Sequence, residues 1–174
     1  MRGAVQIDTI SADRKTAEIR RFIPSRSIVL VGLMGAGKSK IGRRLAARLG
    51  LPFFDSDPEI EAAAGETIEE IFANRGERLF RDGERRVIAR RGVSLWLRAD
   101  LEILVARVSR RSNRPLLKQG DPRVILAELI ERRHPVYTEA DVVVDSGAGS
   151  PEATVTRAIA ALAACPLAAT PPEA

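Results

Sequence analysis

The chain has 174 residues, 45% of them apolar and 29% charged, which suits one ordinary globular domain with a core of its own. No run of about 18 apolar residues occurs, so no transmembrane helix or membrane partner is expected. The net charge is +5 with only 4% aromatic residues, so stacking platforms for nucleic-acid bases are lacking and anionic small molecules are the expected partners.

The first 26 residues have no apolar core of a secretory signal. They mix acids with bases and read as a solvated, partly disordered lead-in. Ser27 to Leu33 is a β-branched and aliphatic run, predicted to be a strand buried on both faces. From Lys38 to Leu49, apolar residues recur at Ile41, Leu45 and Leu49 with arginines between them. This spacing of four predicts an amphipathic helix, and Gly50 is a natural residue to end it. Pro52 to Asp55 is predicted as a short second strand. Helices are expected from Asp57-Pro58-Glu59, with Asp57 as candidate cap, and from Thr67, with Glu70 completing a capping box.

Ser94 to Leu97 reads as a third strand and Leu101 to Arg110 as a helix. SNRPLLKQGDP has the composition of a mobile loop. Arg123 to Arg133 is predicted helical and stopped by Pro135. Asp141 to Asp145 is a fourth strand. Ser150-Pro151-Glu152 opens the last helix, and residues 164–174 are a tail. Strands alternating with helices imply an α/β fold, a three-layer parallel sheet, with the domain at 27–163. The single cysteine, Cys165, and the single histidine, His134, exclude an intramolecular disulfide, a zinc-cysteine cluster and a histidine metal site. A cytoplasmic monomer is expected.

The pattern Gly32-x-x-x-x-Gly37-Lys38-Ser39 follows a strand and opens a helix, the context that a nucleotide phosphate loop requires. Its glycines let successive N–H groups turn toward phosphate oxygens, and the helix start adds its positive dipole. Gly35, Ala36, Gly37, Lys38, Ser39 and Lys40 are therefore expected to hold ATP. Lys38 should reach the β- and γ-phosphates, and Ser39 should hold Mg²⁺. This names the donor and leaves the acceptor open. Asp55 and Asp57 fall at the end of the second strand, where ligands bind in open α/β sheets. One carboxylate can order Mg²⁺ through water, and the other can accept a proton from an attacking hydroxyl.

The strings GLMGAGKSKIGRRLA, FFDSD, GERLFRDGE, RPLL and RRHPVY together resemble the shikimate kinase family of P-loop proteins, from about Ser27 to Leu162. The resemblance implies transfer of the γ-phosphate of ATP to the 3-hydroxyl of shikimate, with Mg²⁺ and a flexible lid at about 109–121. It implies that Asp57 binds the shikimate hydroxyls and acts as base, and that Asp55 lies near the Mg²⁺ water shell. Arg81 and Arg133 would bind the shikimate carboxylate, a task that suits guanidinium forks. Glu84 would pair with Arg81. Arg114 resembles the catalytic lid arginine over the phosphates, and Arg107 and Pro151 resemble the pair flanking adenine.

The chain departs from this family at one place. The family's Gly-Gly-Gly motif, at the end of a further strand, is absent. ERRVIARRGVSLWLRAD runs directly from a helix into the Ser94 strand, so one strand-helix unit of roughly 30 residues is missing between Arg90 and Ser94. That strand would lie between the Phe53 strand and the Ile28 strand. Without it, the Asp55 strand must move over or lose a partner. SGAGSP, at 146–151, also lacks the arginine or asparagine that the family often places near adenine. Two other readings follow: a catalytically impaired nucleotide-binding remnant or truncated gene model, and another small-molecule kinase of the fold, such as a gluconate kinase.

Overall fold

The structure is a computed structural model that describes residues 14–17, 19–20, 27–55, 92–110 and 120–166. Strand β1 (Ser27–Val31) leads through the glycine-rich loop into helix α1 (Lys38–Leu49). Strand β2 (Gly92–Arg98) is followed by α2 (Leu101–Val108) and α3 (Pro122–Tyr137), then β3 (Val142–Asp145) and α4 (Pro151–Ala163). Among the described residues the sheet is parallel, in the order β1-β2-β3.

β2 is the centre of this sheet. Val93, Leu95, Trp96 and Leu97 are all buried, the pattern of a parallel strand covered on both faces. Its one buried polar residue, Ser94, is fully occupied. The Ser94 N–H and hydroxyl each donate to Asp141 Oδ2 at 2.7 Å, and the Asp141 N–H returns a bond to Ser94 Oγ at 3.0 Å. This exchange fixes the register in which Leu95 faces Val142. Asp141 therefore serves as a polar anchor just ahead of β3.

Helix α1 follows its sequence pattern: Ile41, Leu45 and Leu49 are buried. It ends at Gly50, with φ 64°, where the Leu51 N–H bonds to Ala46 O at 2.9 Å. α1 packs on α4, α2 on α3, and α4 on β3. α4 opens as predicted, with the Ser150 side chain accepting from the Ala153 N–H and Pro151 in its first turn.

Two expectations are corrected. Pro135 does not stop α3, which continues to Tyr137. Proline removes one donor from the ladder. The turn beyond it is held by Thr138 N–H to His134 O at 2.9 Å and by Thr138 Oγ1 to Pro135 O at 2.6 Å. It also buries Tyr137. The second correction concerns Pro52 to Asp55. Residues 51–55 form no strand, and among the described residues β1 has one paired neighbour, β2. Phe53 packs instead on α1 at Gly42, where an added Cβ would lie 2.6 Å from the ring. Phe54 is 71% exposed.

The lead-in contributes more than its composition suggests. Residues 14–17 and 19–20 are helical, and Ile19 is buried in the core at 1% exposure. Arg20 donates from Nε to Leu49 O at 2.7 Å and from Nη2 to Arg48 O at 3.2 Å. A cation thus meets the negative end of α1. At the other terminus Cys165 is also buried. The helices expected from Asp57 and Thr67 lie outside the described residues, as does most of the expected lid. Among the described residues no helix is long and apolar enough to cross a membrane.

The docking of the lead-in is testable. Ile19→Ala should lower unfolding stability by about 2–5 kcal/mol, read as a lower denaturant midpoint. An unchanged midpoint would show that this segment does not contribute to the core.

Candidate active site

β1 ends where the loop must turn sharply across the end of β2. A Cβ at Gly32 would lie 2.7 Å from the Leu97 carbonyl oxygen, and the residue has φ 145°. Only glycine meets both conditions. At the other end of the loop, Gly37 caps α1 with φ 95° and provides no side-chain cap. The Ile41 N–H bonds back to Gly37 O at 2.9 Å. The N–H groups of Lys38, Ser39 and Lys40 precede that first helical bond, in the first turn of α1. The start of a helix, at the carboxyl end of a parallel strand, is a place that suits an anion.

Lys38 is half-buried, and its ammonium lies on the loop itself, 2.9 Å from Gly32 O and 3.4 Å from Leu33 O. Ser39 and Lys40 are exposed. The predicted phosphate-holding residues Gly35, Ala36, Gly37, Lys38, Ser39 and Lys40 therefore occupy one continuous turn.

Arg107 reaches this turn from α2. Its Nη1 donates to Gly35 O at 3.2 Å, to Ala36 O at 3.4 Å and to Ser146 Oγ at 3.1 Å, and Nη2 donates to Gly147 O. Burial pushes its guanidinium down from its ordinary value, though an arginine so placed stays charged. Arg107 thereby joins the phosphate loop to the connection that leads into Pro151. Ser146 escaped the sequence reading. It is 2% exposed and its hydroxyl donates to Ala36 O at 2.8 Å. The available signal was a small hydroxyl residue just past the carboxyl end of a parallel strand.

Of the other expected site residues, Asp55 is half-buried and faces Arg43 of α1 at 3.9 Å, beyond ordinary hydrogen-bond length. The Arg43 guanidinium lies over Phe53, 5.6 Å from the ring centre. Arg133 is half-buried on α3. Its neighbour His134 meets Trp96 edge-on, with ring centres 4.9 Å apart. An open cleft of about 490 Å³ is lined by His134 together with Arg98, Asp100, Ile130 and Asp145. Arg98 and Asp145 close one side with a two-pronged pair. The phosphate loop does not line this cleft. Asp57, Arg81, Glu84 and Arg114 lie outside the described residues, so their expected places in the site are not described. Among the described residues no group of three or more His, Cys, Asp or Glu side chains could hold a metal ion.

The family model for shikimate kinase matches residues 34–90 and 85–163. The chain belongs to the shikimate kinase family. The shikimate kinase of Paramagnetospirillum magneticum is 52% identical, over 83% of this chain and 91% of the relative. That of Rhodopseudomonas palustris is 43% identical, over 90% of this chain and 91% of the relative. In structure, the chain resembles the shikimate kinase from Acinetobacter baumannii in complex with shikimate. The TM-score is 0.69 with 32% identity, covering 81% of this chain and 94% of that one. The shikimate kinase from Bacteroides thetaiotaomicron gives a TM-score of 0.67 at 26% identity, covering 76% of this chain and 96% of that one. The expected family and its α/β P-loop kinase fold are thus borne out.

His134 provides a pH test of this region. Burial, and then the charge of Arg98, hold its imidazole below its ordinary value. A base depressed in the folded state takes up its proton more readily when unfolded. The stability it supports is therefore full above the ordinary histidine value of about 6.5 and declines as pH falls below it. The thermal midpoint should fall between about pH 7 and 5.5, and His134→Gln should flatten that part of the profile. An identical slope in the variant would assign the loss to other groups.

Proposed function

We propose that this chain transfers the γ-phosphate of ATP to the 3-hydroxyl of shikimate, in aromatic amino-acid biosynthesis, as an ATP-dependent kinase of its family. The observation that carries this reading is the phosphate-loop turn at the carboxyl end of β1, in a chain 52% identical to a shikimate kinase. In the reaction the acceptor oxygen bonds to the γ-phosphorus, the bond from that phosphorus to the β,γ-bridging oxygen breaks, and ADP leaves. The transition state needs positioning and charge stabilisation more than covalent help. Lys38 and the lid residue Arg114 supply cations for the phosphoryl oxygens. Asp57 orients the acceptor hydroxyl and takes its proton. Arg81 and Arg133 hold the carboxylate as paired forks, with Glu84 orienting Arg81. Arg107 and Pro151 flank the adenine.

The donor set fits Mg²⁺, which takes few protein oxygens and completes its shell with phosphate oxygens and water. Ser39, exposed in the first turn of α1, and Asp55, through water, would hold it. The long contact between Asp55 and Arg43 is weak enough to yield to such a role. When bound, Mg²⁺ neutralises phosphate charge. The proposed catalytic domain is 27–163 with a lid at about 109–121, acting as a cytoplasmic monomer.

Three observations support a missing strand-helix unit between Arg90 and Ser94. The family match is split into two stretches that meet at residues 85–90. The Paramagnetospirillum alignment runs over 178 positions but uses 83% of 174 residues, about 144, leaving about 34 positions without a counterpart. Residues 51–55 are in no strand. The last observation favours the second reading, a nucleotide-binding remnant, because a positioning error of about 1 Å can cost about 100-fold in rate.

Three measurements decide between these readings. In an ADP-release assay, the chain should turn over with ATP and shikimate, and Lys38→Ala should abolish turnover. Arg133→Ala should raise the KM for shikimate by about tenfold or more, as loss of a charge-assisted pair implies. Turnover no higher than that of Lys38→Ala would defeat the activity. Calorimetric binding of ATP but not shikimate would establish the remnant. Turnover with gluconate or another polyol alone would reassign the acceptor. Encoding DNA around the Arg90 and Arg91 codons should carry the missing unit if the gene model is truncated.

A further inference from the structure

Ser146 lies just past β3 and is neither in the phosphate loop nor in any phosphate-binding pattern of the sequence. Its three polar contacts nevertheless all serve the loop or the strand beside it. Its N–H donates to Arg98 O at 2.6 Å, which fixes the backbone of position 146 against the end of β2. Its hydroxyl has one proton to donate and lone pairs to accept. The proton goes to Ala36 O at 2.8 Å, and the acceptor side takes Arg107 Nη1 at 3.1 Å. Ser146 is 2% exposed and Ala36 1% exposed, so water cannot easily replace either bond. Arg107 then spreads over Gly35 O, Ala36 O and Gly147 O.

From this geometry we infer that Ser146 is a positioning residue for nucleotide binding, acting through Ala36 and Arg107. The inference rests on the proposed binding of nucleotide by the loop. A phosphate loop works when its N–H groups turn inward, which requires its carbonyls to turn outward and find donors there. Ser146 and Arg107 are those donors for Gly35 and Ala36. Without the hydroxyl, Ala36 O loses its shortest described side-chain bond and Arg107 loses one of its four acceptors. The loop can then rotate its peptide planes, and the N–H groups no longer converge on one point. Ser146 also holds the start of the 146–150 connection, so one hydroxyl sets the spacing between the phosphate loop and the segment leading to Pro151.

The test is calorimetric titration of the full chain with ADP, with the unfolding midpoint of each variant measured alongside. Ser146→Ala should weaken ADP binding by about tenfold, and Ser146→Thr, which keeps the oxygen, should stay within about threefold of wild type. Ser146→Val and Ser146→Thr have the same shape, and their ADP affinities should differ by about tenfold, which preserves the test if Ser146→Ala does not fold. Equal ADP affinity in wild type and Ser146→Ala overturns the inference alone, as does equal affinity in the Thr and Val variants. A wild-type chain that binds no ADP overturns the nucleotide-binding reading and this inference with it.

Discussion

The loop that follows β1 depends on a close approach between two backbones. The Leu97 carbonyl, at the end of β2, sits where a side chain at position 32 would begin. That contact makes glycine obligatory and turns the chain out of the sheet plane immediately after β1. It also places the loop directly over the carboxyl end of the buried central strand. β2 can act as this fixed support because it is held on both sides, by β1 and by β3. The Ser94–Asp141 exchange locks one of those pairings in register.

The carbonyls of the loop are distributed among donors from three directions. Lys38 covers Gly32 O and Leu33 O from within the loop. Arg107 covers Gly35 O and Ala36 O from α2, and Ser146 adds a second bond to Ala36 O from beyond β3. An outward carbonyl obliges the neighbouring N–H to point the other way, because the peptide unit is planar. The carbonyl donors thus set the direction of the loop's peptide planes. In the proposed reaction Lys38 would turn from these carbonyls toward charged phosphate oxygens, and charge-assisted bonds are the stronger ones.

Where a residue's role was local, the sequence disclosed it. The four-residue spacing of Ile41, Leu45 and Leu49, the terminal Gly50 and the Ser150-Pro151 start are each set by the helix they belong to, and all were legible. The glycine-rich turn between β1 and α1 was legible for the same reason. Pro135 was misread because its cost to α3 is offset by the burial of Tyr137 and by Thr138, contacts that a local rule does not weigh. Arg20 and Ser146 were missed because their partners are distant in the chain, at Leu49, Arg48 and Ala36, and Ile19 because it is buried in a core built from residues far along the chain. Phe53 shows the converse. Pro52 to Asp55 has a strand-like composition, yet a strand exists only where a neighbour supplies its backbone partners.

That last point bears on how donor and acceptor are joined. β1 is half-buried along most of its length while β2 is buried from Val93 to Leu97, so the two strands meet different surroundings although they pair residue for residue. Moving residues 51–55 onto β1 would gain backbone bonds worth about 0.5–1.5 kcal/mol each. It would also pull Phe53 off the notch at Gly42, where the ring is closely fitted. Burial of a phenylalanine side chain is worth about 1.5–3 kcal/mol, comparable to two or three of those bonds. The described arrangement keeps the ring on α1. Asp55 is then positioned by the helix that begins at the phosphate loop, through Phe53 and Arg43, and not by the sheet. A carboxylate carried in this way keeps its distance from the glycine-rich turn as α1 does, whatever strand pairs with the outer edge of β1.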